Sequence, residues 1–458
     1  MAHRIGIRRE DMYAWERRAP LTPQDIRRLV EEDGLEVVVQ SSDRRVFTDA
    51  DYCQAGIEVA DDLSSCPVIF GIKEIPIPVL ERGKTYIFFS HTIKGQAYNM
   101  PMLRQILDMG CTLIDYEKVA DENGRRLIFF GNYAGLAGMI ETLWAFGKRL
   151  AFEGIPNPFE GVKRALDYPN LETAKEAIRG IGKRIGREGL PNKITPLAVG
   201  IAGYGNVSRG AQEILDLLPV VEISPGELAT LGGCSNTLDL LHPPSKAQAA
   251  SNSVVYKVIF KEEDMVELRE GDHLFDLQEY YDHPERYRGV FERYLPHLDI
   301  LVNCIYWEPR YPRLFSKKTV RELYRKDRHR LNRPRPTGPR LKVIGDITCD
   351  VEGAIECTVK ATEPDNPVYV YDPVADRAID GIAGNGPVVM AVEILPSELP
   401  RESSAYFSGV LKGYVPAIAA ADYSGDFASC DLPPEIKRAM IVYRGELTPD
   451  YRYIERYL

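Results

Sequence analysis

The sequence has no long hydrophobic run, no closely spaced cysteine pair and no surplus of positive charge. Apolar stretches such as VIFGI (68–72) and LIFFG (127–131) fall far short of the ~20 residues that cross a bilayer. The opening MAHRIGIRRE lacks the apolar core of a secretory signal, so the chain is expected to be soluble, unprocessed and cytoplasmic. Lys plus Arg number 57 against 67 Asp plus Glu, a formal net charge of −10. That balance argues against nucleic acid or anionic membrane as a partner and makes any anion site local. The eight cysteines (53, 66, 111, 234, 304, 349, 357 and 430) are scattered, several inside apolar runs such as LVNCIYW. They read as reduced, buried thiols, and no metal site is expected.

What the chain does have is core material: 458 residues, 44% of them hydrophobic, with 25 Tyr, enough for two large globular domains. From residue 4 strand and helix signals alternate. RIGIRRE reads as a strand, PLTPQDIRRLVEED as a helix opening at Thr22 or Pro23, and EVVVQ, VIFGIKE, TYIFFSH and TLIDYE as further strands. This cadence indicates βαβ units around a mostly parallel sheet. NYAGLAGMIETLWAFGKRLAFEG (132–154) reads as a helix whose Gly and Ala suit packing between domains. A second α/β cadence begins at PLAVGIAGYGNVSRGAQEILDLLPVVEI, KVIGDITCD reads as a later strand leading into a loop, and GNGPVVMAVEILPSELPRESSAYFSGVL as a helix start, helix and turn. The basic, proline-rich run 317–340 reads as a solvated helix and loop.

In VGIAGYGNVSRGAQEILDLL an apolar strand runs into Gly203, Gly205 and Gly210 and a helix follows at once. A turn this tight needs glycine, and a pyrophosphate can rest on the bare backbone at the helix N-terminus. The spacing is GxGxxxxG, with Ser208 at the usual third glycine, yet strand, loop and helix together predict a dinucleotide site. The next strand, VVEIS, carries Glu222 and Ser224 where the adenosine ribose is normally read. Glu222 there favours NAD and Ser224 admits NADP; the reading leans to NADP.

Proton-carrying and charged groups gather at probable strand ends: Arg18 after Glu16, Lys73, His91, Lys94, Asp115, Glu117, Arg125 and Arg126. In open α/β sheets those ends converge on the ligand crevice. The set suits hydride transfer to or from a carbon bearing nitrogen, with Lys73 and His91 managing protons and Arg18 and Arg126 gripping carboxylates. Glu117 and Asp115 are expected to hold a substrate ammonium or to tune Lys73, and Lys94 to crowd Lys73 with like charge.

RRAPLTP, FFSHTIK, LIDYEKV, GNVSRGAQ, DHPERY (282–287), LVNCIYWE, GDIT and LPSELPRES carry a further signal. Through them the chain resembles the lysine-ketoglutarate reductase half of the α-aminoadipic semialdehyde synthases, and more distantly the lysine-forming saccharopine dehydrogenases and the alanine dehydrogenase and transhydrogenase superfamily. The resemblance implies two Rossmann-like, doubly wound parallel-sheet α/β domains with an active-site cleft between them. Residues 1–133 plus about 355–458 would form the substrate and catalytic domain, and 134–354 the dinucleotide domain. It implies condensation of L-lysine with 2-oxoglutarate and reduction of the imine to saccharopine, or the reverse. The acid/base pair falls on Lys73 and His91, the carboxylate-binding arginines on Arg18 and Arg126, and a substrate-lining position on Phe130. Cofactor contacts fall on Gly205, Asn206, Val207, the Ser224 region, Cys304–Ile305 and Gly345, Asp346, Ile347 and Thr348, with Asp346 facing the nicotinamide. A saccharopine-oxidising activity would sit on a separate polypeptide, and a homo-oligomer is compatible with the pattern. Two other readings keep the fold: reductive amination of a small keto acid, as in alanine dehydrogenases, and a catalytically silent nucleotide sensor.

Overall fold

The computed structural model describes residues 3–231, 251–271, 274–327 and 339–458. Cys234, the irregular stretch around it and much of the basic run after residue 327 lie outside the described residues. Chain contacts divide the molecule into two units, residues 1–130 with 400–458 and residues 131–399.

Unit 1 is built in chain order from β1 (Arg4–Ile7), α1 (Pro23–Asp33), β2 (Glu36–Gln40), α2 (Asp49–Gln54), β3 (Glu58–Ala60), β4 (Val68–Phe70), β5 (Thr85–Phe88), α3 (Met100–Asp108) and β6 (Thr112–Asp115). The strands lie parallel in the order β3-β2-β1-β4-β5-β6, and Met440–Tyr443 and Glu446–Leu447 extend the β6 edge antiparallel. β4 and β5 are buried along their whole length, which is why VIF and TYIF are unbroken apolar runs. α1 starts where predicted: the Thr22 hydroxyl accepts from the Asp25 N–H at 3.2 Å, and Gly34, at φ 66°, ends it in the left-handed region. Apolar clusters cover both faces of the sheet.

Unit 2 contains α4 (Gly131–Phe152), α5 (Leu171–Glu188), β7 (Leu197–Ala202), α6 (Asn206–Leu215), β8 (Val220–Glu222), β9 (Val255–Phe260), a hairpin of β10 (Val266–Leu268) with β11 (Tyr287–Gly289), β12 (Ile300–Asn303), β13 (Val343–Asp346), β14 (Val368–Asp372), β15 (Arg377–Asp380) and β16 (Val388–Met390). Its large sheet runs β8-β9-β7-β12-β13-β16 in parallel, with β14 and β15 antiparallel at the edge. The chain therefore returns to unit 1 at Pro400 and not near residue 355. The reason is β-pairing: β14 to β16 add onto β13, and the VVM of GNGPVVM, read from sequence as a helix, is the buried strand β16.

The glycines of α4 pack inside unit 2. A methyl at Gly135 would lie 1.9 Å from the Val207 carbonyl oxygen, and one at Gly210 would lie 2.0 Å from that of Asn132. The two helices thus meet backbone to backbone, and Gly210 does the close-packing work of the third glycine that Ser208 displaces. Gly135→Ala is expected to destabilise unit 2 by about 1–3 kcal/mol, because a rigid carbonyl cannot step aside as a side chain can. Thermal unfolding followed by circular dichroism checks this; an unchanged Tm would mean the interface gives way. Among the described residues no helix is long and apolar enough to cross a membrane, and no group of three His, Cys, Asp or Glu could hold a metal ion. Seven cysteines are free there, with Cys53 exposed and Cys349 half-buried, so not all are core thiols.

Candidate functional site

Within unit 1 three adjacent parallel strands bring candidate side chains to their carboxyl ends: β4 leads to Lys73 and Glu74, β5 to Ser90 and His91, and β6 ends on Asp115. His91 sits at φ 47°, a left-handed backbone uncommon outside glycine. Its Nδ1 is 2.6 Å from Glu74 Oε1, and its ring lies 17° from parallel with Phe89. The His91 side chain is 30% exposed and that of Glu74 only 3%, so a buried carboxylate holds one nitrogen of a reachable imidazole. Burial opposes the charge on Glu74, but His91 and then Lys73 outweigh it and hold the carboxyl below its usual range. Glu74 escaped the sequence reading because a charge beside Lys73 looks like a solvated strand end. Its only sequence signal is that an acid flanked by Lys73 and Ile75 closes an otherwise apolar strand exit.

Asp115 is fully buried, and burial pushes it above its usual range although Ser90 donates to it from both N–H (3.1 Å) and hydroxyl. Its other oxygen accepts from the Glu117 N–H at 2.7 Å, which places Glu117, half-buried, beside it. The half-buried Lys73 has its ammonium 5.4 Å from the centre of the Tyr13 ring, and its backbone N–H donates to Glu10 at 3.0 Å. Glu10, also bonded by the Ile72 N–H, is driven by burial up to about 7. Lys94, expected to crowd Lys73, is an exposed side chain on the loop after His91.

Arg18 pairs with Glu16, the plainer role that its place two residues after an acid allows. Its Nε and one terminal nitrogen grip Glu16 at 2.8 and 2.6 Å, with both residues buried. The guanidinium also lies 4.1 Å over the Phe130 ring, which stacks on Phe407 at 4.8 Å. Burial opposes ionisation of Glu16, but Arg18 and then Lys73 outweigh it and keep the carboxyl below its usual range. Arg126 is exposed on a bridge to Ala120 rather than on a strand, and Leu127–Phe130 leads directly into α4.

In unit 2 the glycine loop leaves β7 with Gly203 at φ 94°, its N–H bonded to the Phe260 carbonyl at 2.9 Å. Gly205 needs no special φ (−76°), and a methyl there would meet nothing within 4 Å. A bare backbone before Asn206 and Val207, with neither a conformational nor a packing reason, fits the cradle of a pyrophosphate. Ile305 lies beside this loop, with its Cγ2 3.0 Å from a Gly203 methyl position.

Four cofactor assignments change. β8 is the outer strand, and β9 lies between it and β7, so the strand tip beside the glycine loop is Lys261 and Glu262, not Ser224. Ser224 instead caps a short helix, donating to Glu227 at 2.7 Å, and Glu222 is paired with Lys257 at 3.1 Å. Asp346 does not project: it is 1% exposed and accepts from Thr358, Asn303 (2.9 Å), Thr348 (3.0 Å) and the Cys349 N–H (3.3 Å), with burial pushing it up. Gly345 is explained by packing, since a methyl would strike Thr142 Oγ1 at 2.1 Å, and Ile347 packs against Gly138. Thr348 alone of this group is half-buried.

Residues 6–137 match the family described as alanine dehydrogenase/PNT, N-terminal domain. The chain is 40% identical over 99% of its length to alpha-aminoadipic semialdehyde synthase of Arabidopsis thaliana, and 36% identical over 99% to the mitochondrial protein of that name from Mus musculus. It spans only 41% and 47% of those proteins. Against saccharopine dehydrogenase [NAD(+), L-lysine-forming] of Yarrowia lipolytica it is 28% identical, covering 86% of this chain and 87% of that one. Among solved structures an L-alanine dehydrogenase superposes at TM-score 0.59 with 17% identity, covering 99% of both chains. A transhydrogenase from Sinorhizobium meliloti superposes at 0.56 with 14% identity, covering 97% of this chain and 100% of that one. The fold of two parallel-dominated sheets is therefore alanine dehydrogenase-like.

Proposed function

From a chain related along 99% of its residues to alpha-aminoadipic semialdehyde synthase and along 86% to a lysine-forming saccharopine dehydrogenase, we propose a nicotinamide-dependent oxidoreductase that acts on a carbon–nitrogen bond. It condenses L-lysine with 2-oxoglutarate and reduces the imine to saccharopine, or runs the reverse. The observation that carries this reading is the buried Glu74 holding Nδ1 of His91 one residue from Lys73.

With Nδ1 engaged, Nε2 is the nitrogen left to exchange a proton with substrate. Lys73 takes a proton from the lysine ε-ammonium, so that the free amine can attack the keto carbon. His91 delivers a proton to the carbinolamine hydroxyl, which leaves as water and yields the protonated imine. Arg18, two of whose nitrogens are committed to Glu16, offers its remaining edge to one substrate carboxylate. Arg126 takes another, and Glu117 the α-ammonium, with Phe130 as the apolar wall. Gly203, Gly205, Asn206, Val207, Ile305 and Thr348 would hold a nicotinamide dinucleotide, which when bound supplies or accepts the hydride. Asp346 acts in this scheme by tying β12 to the loop after β13.

We rest a lean to NADP on Lys261 in place of Ser224. Glu262 is committed to the Tyr281 hydroxyl at 2.9 Å, while Lys261 is exposed at the tip of β9. Lys261→Ala is expected to raise KM for NADPH about tenfold, the scale of one charge-assisted phosphate contact, and to leave KM for NADH unchanged. Equal effects on both cofactors would remove Lys261 from that role.

A steady-state assay crossing lysine, ornithine and ammonia with 2-oxoglutarate and pyruvate tests the whole reading. NADPH oxidation should require lysine and 2-oxoglutarate together. Equal rates with ammonia and pyruvate would support the alanine dehydrogenase-like alternative, with which the match over residues 6–137 is also compatible, and no turnover with any pair would point to a sensor. The free thiols suit a reducing compartment, and we place the protein in the cytoplasm.

A further inference from the structure

Asn99 stands at the N-terminus of α3, where an asparagine ordinarily caps the helix, yet its side chain makes no capping hydrogen bond. It is 5% exposed and turned the other way. Its Nδ2 lies 3.0 Å from the Ser90 carbonyl, 3.4 Å from the His91 carbonyl and 3.3 Å from Glu74 Oε1. One amide thus touches both carbonyls around the left-handed His91 and the oxygen that grips its ring. We propose that Asn99 is a positioning residue for His91, locking the strained backbone and the Glu74 carboxylate into a single arrangement that aims the imidazole.

The physical need is plain. A histidine at φ 47° is uncommon and persists where its surroundings hold it. Ser90 and Asp115 fix the chain on one side of His91, and the Tyr453 hydroxyl fixes it on the other by donating to the Ile93 carbonyl at 2.8 Å. Asn99 joins that backbone to the ring's partner. Of the charged groups nearby, Glu74 holds the imidazole, Lys73 acts on Glu74, and Asp115 at the end of β6 interacts with His91; Glu117 is bonded to Asp115 through its N–H, and Lys94 is exposed on the loop after His91.

This role rests on His91 handling protons as proposed above, so the test includes a readout that needs no substrate. The full chain is labelled with [13C]histidine and titrated by NMR as wild type, Asn99→Ala and Asn99→Asp, with the His91 signal assigned by its loss in His91→Asn. Without the amide donor Glu74 holds the imidazolium proton harder, so Asn99→Ala should raise the His91 midpoint by about half a pH unit or more. Asn99→Asp, which sets a carboxylate beside Glu74, should raise it further. Turnover should fall about tenfold in Asn99→Ala with KM for the cofactor unchanged. A midpoint that stays put in both variants overturns the proposal, as does a rate loss that merely tracks lost Tm. If the midpoint moves but lysine and 2-oxoglutarate are not substrates, the positioning role stands and the proposed reaction falls.

Discussion

Replacing Lys73 with methionine is expected to lower kcat with lysine and 2-oxoglutarate by about 10²–10⁴-fold, the usual weight of a positioned acid/base group. Folding should survive, because the structural hydrogen bond of this residue runs from its backbone N–H to Glu10 and not from its ammonium. Loss of the charge does reach two neighbours, since Lys73 helps to keep both Glu16 and Glu74 ionised. In each case it is the lesser partner, behind Arg18 for Glu16 and behind His91 for Glu74. Tm should therefore move by only a few degrees while single-turnover rates collapse, and added alkylamine should restore part of the activity. A fall in kcat below threefold would remove Lys73 from the proton chemistry.

Arg18→Met should destabilise unit 1 by about 3–5 kcal/mol, because it strands a buried carboxylate without its cation. Glu16 and Arg18 have 0% and 4% of their side-chain surface exposed, so water cannot take over. The guanidinium also loses its place over Phe130. The double change Glu16→Gln with Arg18→Met should recover at least half of the loss, and urea unfolding of the two single variants and the double variant reads the coupling directly. The folded double variant then isolates the second role. If Arg18 also meets a substrate carboxylate, KM for 2-oxoglutarate or lysine rises at least tenfold there, and an unchanged KM would leave Arg18 purely structural.

Parallel strands buried on both faces show themselves as unbroken apolar runs, which made β1, β2, β4, β5 and β6 and the strand-end positions of Lys73, His91 and Asp115 legible. The same property hid β16: VVM inside VVMAVEIL fits a helix as well as a strand, and only its pairing with β13 and β14 decides. The return at Pro400 was lost with it. Sheet order posed the same difficulty, since VVEIS follows the glycine loop in the chain while β9 follows it across the sheet. The burial of Glu74, Asp346 and Gly345 is tertiary and leaves no local trace. Arg18, by contrast, was found for its charge and turned out to carry a partner two residues away.

Because unit 1 is completed by residues on both sides of unit 2, its assembly has a timetable. The free edge of β6 is ready once Asp115 emerges, but Met440–Tyr443, which covers it, comes more than 300 residues later. At about 5–20 residues per second the ribosome leaves that edge open for roughly 15 s to one minute. During that interval a fully buried native strand, TLID, presents unpaired backbone to the cell. Any factor that slows translation across unit 2 lengthens the exposure, so yield should depend on elongation rate and chaperone supply in a way that the stability of the finished protein does not reveal.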